Sequence, residues 1–130
     1  MSFLSKEQIL NAKDIETEEV EIKEWGGTVL VRGLTALERD KWEASVFKQK
    51  GKNSEMNWIN ARAKLVKLTA VDEAGNCIFD AKDIEALGNK SAAALEKVFT
   101  VAQRLSGLTK EDMESLTKNS EGQDENSSLD

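Results

Sequence analysis

Few residues in this sequence could act as a nucleophile, and they lack the neighbours that catalysis requires. Cys77 is the only cysteine, and the 130 residues contain no histidine. Nucleophilic catalysis needs a base beside the nucleophile, and histidine is the commonest base near neutral pH. A free cysteine more often behaves as a small hydrophobic residue. We therefore expect Cys77 to occupy a turn or strand position and to have no enzymatic role.

Carboxylates are plentiful, but their spacing does not predict an acid–base pair. The densest group consists of Glu16, Glu18, Glu19, Glu21 and Glu24. Catalytic carboxylates need environments that separate their pKa values. On a strand, alternate members of this group would point to solvent together, so the pattern indicates an exposed acidic face.

Two short segments share only part of the pattern of a ligand-binding loop. Residues 72–76 read Asp-Glu-Ala-Gly-Asn, which lacks the acidic spacing and the closing glutamate of a calcium loop. The pair Gly26-Gly27 is not followed by a helix start with Lys-Ser/Thr, as a phosphate loop would be. Zinc sites need clustered cysteine and histidine. We expect no catalytic residue, no metal and no cofactor, and hence no enzyme.

Composition and charge limit which cellular compartment and which classes of partner are expected. The net charge is −6, whereas affinity for nucleic acid comes mostly from Lys and Arg on phosphates. No apolar run approaches a membrane span, and the first residues lack the pattern of a signal peptide. A single cysteine fits a reducing compartment. We expect a cytoplasmic protein with neither nucleic acid nor membrane as a partner.

Helix signals recur along the chain and account for most of the predicted structure. Helices are predicted at about residues 5–13, 35–48, 56–70, 80–88 and 91–107, with a last short helix after Thr109. Capping boxes begin at Ser5 and Thr35, and Asp80 can cap the fourth helix. The second helix is expected to place Leu37, Ala44 and Phe47 on one side, with Trp42 and Val46 widening the stripe.

Strand signals lie mainly between the first two helices. Val20 and Ile22 alternate with charged residues, Trp25-Gly26-Gly27 indicates a turn, and residues 28–32 are rich in β-branched side chains. This pattern predicts a hairpin, which must pack on helices to be stable. A second, very small hairpin is expected around a turn at residues 74–76. Residues 50–54 are expected to form a flexible polar loop.

The elements together predict one α+β domain at residues 1–117, mostly helical, with an N-terminal β-hairpin packed on about five helices. Residues 118–130 are polar and acidic with a single Leu129, so we expect a disordered tail.

A protein that acts by binding should carry large apolar residues that a partner can reach. The candidates are Trp25, Trp42, Leu95, Val98, Phe99 and Leu105. Leu95, Val98, Phe99 and Leu105 follow helical i, i+3, i+4 spacing, which fits a client-binding face and equally fits the core. Trp25 either packs back on a helix or is available to a partner. Trp58, like Phe99, is expected in the core.

Charge is distributed unevenly along the chain. Residues 14–24 carry six acidic residues and one lysine, a local charge of −5, whereas residues 39–67 carry eight basic and three acidic residues, a local charge of +5. The two stretches could face each other or solvent within one molecule, or meet across copies in a ring or spiral. The basic stretch could instead contact nucleic acid.

The order and spacing of several motifs resemble the tail assembly chaperones of long-tailed bacteriophages and prophages. The matching segments are residues 4–10, 18–20, 25–35, 38–43, 61–66, 71–76, 86–95 and 99–108. The most specific of them is Val-Ala-Gln-Arg-Leu-Ser-Gly-Leu at residues 101–108.

The resemblance implies a non-catalytic protein of the bacterial host cytoplasm that is absent from the mature virion. Such proteins bind the tape-measure protein, keep it soluble and help to bring tail-tube protein to it. The family has no active-site residues to transfer to this chain. A permanent structural protein of the tail or neck and a small transcription regulator that uses the second and third helices remain as alternatives.

Overall fold

The computed structural model describes residues 2–50 and 53–108, with the backbone alone for residues 47–50 and 53–56. Within this part of the chain the helices are α1 Lys6–Asn11, α2 Ala36–Val46, α3 Ala61–Thr69, α4 Ile84–Gly88 and α5 Ala92–Leu105. The strands are β1 Thr17–Ile22, β2 Gly27–Arg32, β3 Phe47–Lys50, β4 Asn53–Met56 and β5 Ala70–Val71. The predicted α+β class, with a hairpin near the N-terminus and about five helices, is confirmed. The helix predicted after Thr109 and the tail at residues 118–130 lie outside the described residues.

The N-terminal hairpin forms two strands of a three-stranded antiparallel sheet. β1 pairs with β2 in a register that places Val20 opposite Val29, and Gly26 makes the turn with a left-handed φ of 69°. β5 pairs with the other edge of β2, so the strand order is β1-β2-β5. The predicted small hairpin after β5 is present as a single bridge between Val71 and Cys77. The pairing of β5 with β2 was not predicted, because two residues carry too little pattern to assign a partner.

The core lies between the sheet, α3 and α5, which pack on one another. Trp42 is buried, its Nε1 donates a hydrogen bond to the carbonyl oxygen of Ala61 at 3.1 Å, and its ring centroid is 6.3 Å from that of Phe99. This hydrogen bond keeps the indole N–H paired, so the ring can be buried without an unsatisfied donor. α2 is therefore fixed to α3 and α5 through one side chain.

The predicted caps form as hydrogen-bonded boxes. Ser5 accepts from the backbone of Gln8 at 3.2 Å, and Gln8 accepts from the backbone of Ser5 at 2.8 Å. The same reciprocal pair joins Thr35 to Glu38 at the start of α2. These local signals were readable because a capping box involves residues only three positions apart.

The apolar side of α2 was predicted only in part, since Trp42 and Val46 face the core but Leu37 and Ala44 do not. The helix ends at Val46 and buries Trp42 and Val46, whereas Leu37 is 62% exposed and Ala44 is also exposed. Trp42 and Val46 are one turn apart and bury more apolar area than Leu37 and Ala44 could, so they face the core. Phe47, placed in the same stripe, lies in β3.

The region between α2 and α3 also differs from the prediction. Instead of a polar loop and an early helix, β3 and β4 form an antiparallel hairpin, and α3 begins only at Ala61. Asn60 has a left-handed φ of 62°, which interrupts the helical period just before α3. Trp58 consequently lies outside the helix and is 38% exposed, so its predicted place in the core is wrong.

The length and hydrophobicity of the helices also decide whether any of them could span a membrane. Within residues 2–50 and 53–108, no helix is long and apolar enough to cross a membrane.

Candidate protein-binding surfaces

The chemically reactive residues do not converge on a site in the described residues. No group of three or more Cys, Asp or Glu side chains there is placed to hold a metal ion. Cys77 is exposed at the bridge to β5, with its Sγ 3.5 Å from the carbonyl oxygen of Leu68. A partner could therefore contact apolar and charged surfaces in this part of the chain.

The most strongly perturbed acid is part of a structural ion pair. The Arg32 guanidinium donates to both carboxylate oxygens of Glu38, at 2.8 and 2.6 Å. This side-chain hydrogen bonding lowers the pKa of Glu38 to about 2, and the backbone N–H of Thr35 adds to the effect. The same bond raises the pKa of Arg32. The pair joins the end of β2 to the start of α2, a role in the fold that explains the shift without catalysis.

The binding residues predicted from the sequence lie mainly in the core of the single chain. Trp42, Leu95, Val98 and Phe99 are buried, which is the alternative that the helical spacing left open. Trp25 and Leu105 are half-buried and pack against the core. The structure thus brings these six residues into or against one core, and the accessible apolar side chains lie elsewhere.

The first exposed apolar surface is the N-terminal arm, which we define as residues 2–16. Every residue of the arm is exposed, and α1 within it buries none of its side chains. Its large apolar residues are Phe3 at 101%, Leu4, Ile9, Leu10 at 72%, and Ile15. An apolar group of this size is unusual on a surface that contacts only water. The sequence predicted the helix and its cap at Ser5, but gave no sign that its apolar side chains would remain exposed.

The second surface, which we call the Trp58 pocket, lies where the N-terminal ends of α3 and α5 meet α4. The pocket has a volume of about 180 Å³ and is lined by Trp58, Asn60, Arg62, Ala63, Gly88, Lys90, Ala92 and Leu95. Beside it, Ile59 is 74% exposed. The pocket therefore combines an aromatic wall and an apolar floor with two cations. Sequence reasoning missed it because Trp58 was counted into the helical period of α3.

The third surface is a shallow cleft between β1 and α5, which we call the β1–α5 groove. It has a volume of about 510 Å³, its surface is mostly apolar, and it is lined by Val20, Ala93, Glu96, Lys97, Thr100 and Val101. Two ion pairs join the strand side to the helix: Glu24 to Lys97 at 3.0 Å and Glu18 to Arg104 at 2.6 Å. The hydrogen bond from Lys97 lowers the pKa of Glu24.

The same ion pairs show where the acidic stretch at residues 14–24 finds partners. Among the described side chains, its ion pairs are made with α5, through Lys97 and Arg104. Arg62 of the basic stretch pairs with Glu96 of α5 and stacks over Phe99, 5.5 Å from the ring centroid. Within this part of the chain both stretches therefore pair with α5, and no described ion pair joins them directly.

A core closed around α5, with apolar residues left exposed on three surfaces, defines a small α+β domain suited to binding other proteins. The sequence model of the family described as phage tail assembly chaperone matches residues 5–121, and the chain belongs to this family. The computed structure is also similar to the structure of the bacteriophage HK97 tail assembly chaperone, with a TM-score of 0.55 and 19% sequence identity. That similarity covers 76% of this chain and 90% of the HK97 chain, and it supports the fold. No curated protein matches the chain.

Proposed function

We propose that this protein binds the tape-measure protein of its phage, keeps it soluble during assembly and helps to bring tail-tube subunits to it. Membership of the tail assembly chaperone family supports a role in tail assembly. The observation that carries the finer proposal is the Trp58 pocket, an apolar surface left accessible by a domain whose core is already closed.

The pocket suits an amphipathic helix from a client. Trp58 and Leu95 offer apolar contact within the pocket, and Ile59, next to Trp58 in the chain, adds exposed apolar surface. Arg62 and Lys90 can pair with acidic residues that flank the apolar face of such a helix. Helix-in-groove recognition uses this combination of apolar anchors and surrounding charge, and tryptophan is frequent among the residues that dominate binding energy.

Substitution of the pocket tests the proposal. We expect Trp58→Ala and Ile59→Ser each to weaken binding of purified tape-measure fragments by about tenfold or more, because hot-spot truncations typically cost 2 kcal/mol or more. Binding can be measured by isothermal titration calorimetry. Ile59 is the cleaner site, since most of its side chain contacts solvent and the fold does not depend on it.

Ile78→Ser is the matched control, because Ile78 is also an exposed isoleucine but lies beside Ala70, past the C-terminal end of α3, whereas the pocket lies at the N-terminal end. It should bind the fragments as the unmodified chain does. Equal affinity for the Ile59 and Ile78 variants would show that the Trp58 pocket is not the client site.

The proposed role also sets where the protein is found. We propose that it acts in the cytoplasm of the bacterial host, performs no catalysis, and leaves before the virion is complete. Mass spectrometry of purified virions should then not detect it. Its presence there in stoichiometric amounts would instead identify a permanent protein of the tail or neck.

Self-association into a ring or spiral is a further part of the proposal. The outer face of β1 carries the exposed Glu19 and Glu21, while Arg62 of the basic stretch pairs with Glu96 of α5. Opposite charges on separate parts of one surface favour head-to-tail contact between copies.

A further inference from the structure

We propose that the N-terminal arm of one copy packs into the β1–α5 groove of a second copy. This inference gives a specific contact to the self-association proposed above, and it does not depend on whether the tape-measure protein is the client. It rests on two apolar surfaces that every copy carries and that the chain leaves apart.

The arm has the properties of a segment that is completed by a partner. α1 has six residues and a full capping box, so its conformation is specified locally. Isolated helices shorter than about 12 residues are marginal in water, and protein helices gain most of their stability from packing an apolar face. Because α1 buries none of its side chains against the described residues, a second molecule can supply the packing that would stabilise it.

The groove has the size and surface to receive α1. On α5 the lining residues run from Ala93 to Val101, eight positions apart, which is about 12 Å along the helix. The six residues of α1 rise about 9 Å. Its apolar lining includes Val20, Ala93 and Val101, against which Ile9 and Leu10 can pack.

The point at which the arm joins the sheet favours packing of the arm into the groove of a second copy rather than into the groove of its own chain. The backbone N–H of Gly33 donates to the carbonyl oxygen of Glu16 at 3.0 Å, which fixes the end of the arm next to β2. This end of β1 lies beside the ion pair between Glu18 and Arg104. Only residues 12–16 connect α1 to the sheet, and they would have to turn back over that ion pair to reach the groove of the same chain.

The contact would repeat from copy to copy. The arm and the groove are different surfaces, so the interface is heterologous, and each copy offers one arm and one groove. Such contacts continue until a rotation closes a ring, or otherwise extend as a spiral. Apolar packing also predicts that association persists as salt increases, whereas contact by the charged stretches alone would weaken.

Paired substitutions on the two surfaces test the contact. We expect the unmodified chain to sediment above the monomer mass at high micromolar concentration. The double variant Ile9→Ser/Leu10→Ser and the variant Thr100→Arg should each raise the dissociation constant by at least tenfold. Leu37→Ser, an exposed leucine on α2 outside both surfaces, should associate as the unmodified chain does. Thermal unfolding should remain unchanged in all three, since the substituted residues are exposed in the single chain.

A mixing experiment identifies which surface meets which. The arm variant retains an intact groove, and the Thr100→Arg variant retains an intact arm. Mixed together, the two should form a one-to-one dimer that neither forms alone, because one productive arm–groove contact is restored. In a Cys77→Ser background, a chain with Leu10→Cys and a chain with Thr100→Cys should form an intermolecular disulfide with each other on mild oxidation.

Three results would overturn the proposal. One is an unmodified chain that stays monomeric at every concentration. Another is an arm variant that associates as strongly as the Leu37→Ser control. The third is a mixture of the arm variant and the Thr100→Arg variant that stays monomeric, which would show that the arm and the groove do not meet. Because these assays contain no tape-measure protein, a negative result here leaves the tests of the Trp58 pocket intact, and the reverse also holds.

Discussion

The bidentate pair between Arg32 and Glu38 shows how a single residue connects the sheet to the helical part of the domain. Glu38 accepts from Arg32 of β2 and from the backbone N–H of Thr35, so one carboxylate both caps α2 and ties it to the sheet. The carboxylate is about one-quarter exposed, which leaves the ion pair partly screened by water.

Stability below neutral pH should depend on Glu38. Its pKa falls from an ordinary 4.5 to about 2 in the folded chain, so its contribution is complete above about pH 5 and is lost as the pH falls toward 2. We expect Glu38→Gln to lower the free energy of unfolding by about 1–3 kcal/mol at pH 7 and by much less at pH 2. Urea unfolding at several pH values measures this difference.

Glu43→Gln is the matched control for that prediction. Glu43 pairs with Arg39 one turn away within the half-buried surface of α2, at 2.9 Å. Such pairs contribute about 0.3–0.5 kcal/mol, so little change is expected at any pH. A Glu38 variant as stable as the Glu43 variant at pH 7 would show that the ion pair with Arg32 does not stabilise the fold.

At the scale of elements, local sequence signals predicted helices and caps well, whereas the packing of one element on another was harder to predict. Ser5, Thr35 and Asp80 cap helices as expected, and α5 has the strongest amphipathic pattern, so its buried face was readable. The side of α2 that faces the core could be predicted only in part from the sequence, because the burial of Trp42 depends on contacts with α3 and α5. Trp58 was misassigned because the left-handed Asn60 interrupts a period that otherwise continues in sequence.

The contact between β2 and α5 supplies a prediction at this scale. A Cβ at Gly33 would lie 2.5 Å from the carbonyl oxygen of Leu105 and 3.0 Å from its carbonyl carbon, and backbone atoms there have little room to move. We expect Gly33→Ala to lower the free energy of unfolding by about 1–3 kcal/mol, the usual cost of overpacking. Chemical denaturation of the full chain measures it.

Gly27→Ala is the control, because a Cβ at Gly27 would meet no atom within 4 Å. That variant should unfold within about 0.5 kcal/mol of the unmodified chain. A Gly33→Ala protein that matches the Gly27→Ala protein would indicate that α5 does not rest against β2 as closely as described.

Across the whole molecule, burial separates the residues that make the fold from those that can meet a partner. Four of the six residues selected from the sequence as binding candidates are in the core, since apolar periodicity alone does not distinguish a core stripe from a client-binding stripe. Among the described residues, the accessible apolar surfaces include the arm, the Trp58 pocket and the β1–α5 groove. The role of each surface is a proposal that follows from this division.

The solubility of the tape-measure protein tests the central claim most directly. The tape-measure protein from the same genome would be expressed alone, with this chain, and with the Ile59→Ser variant, and its soluble fraction measured after centrifugation. The account predicts that the unmodified chain keeps most of the client soluble and co-purifies with it, and that the variant does so markedly less. A tape-measure protein that precipitates equally in all three conditions would contradict the account.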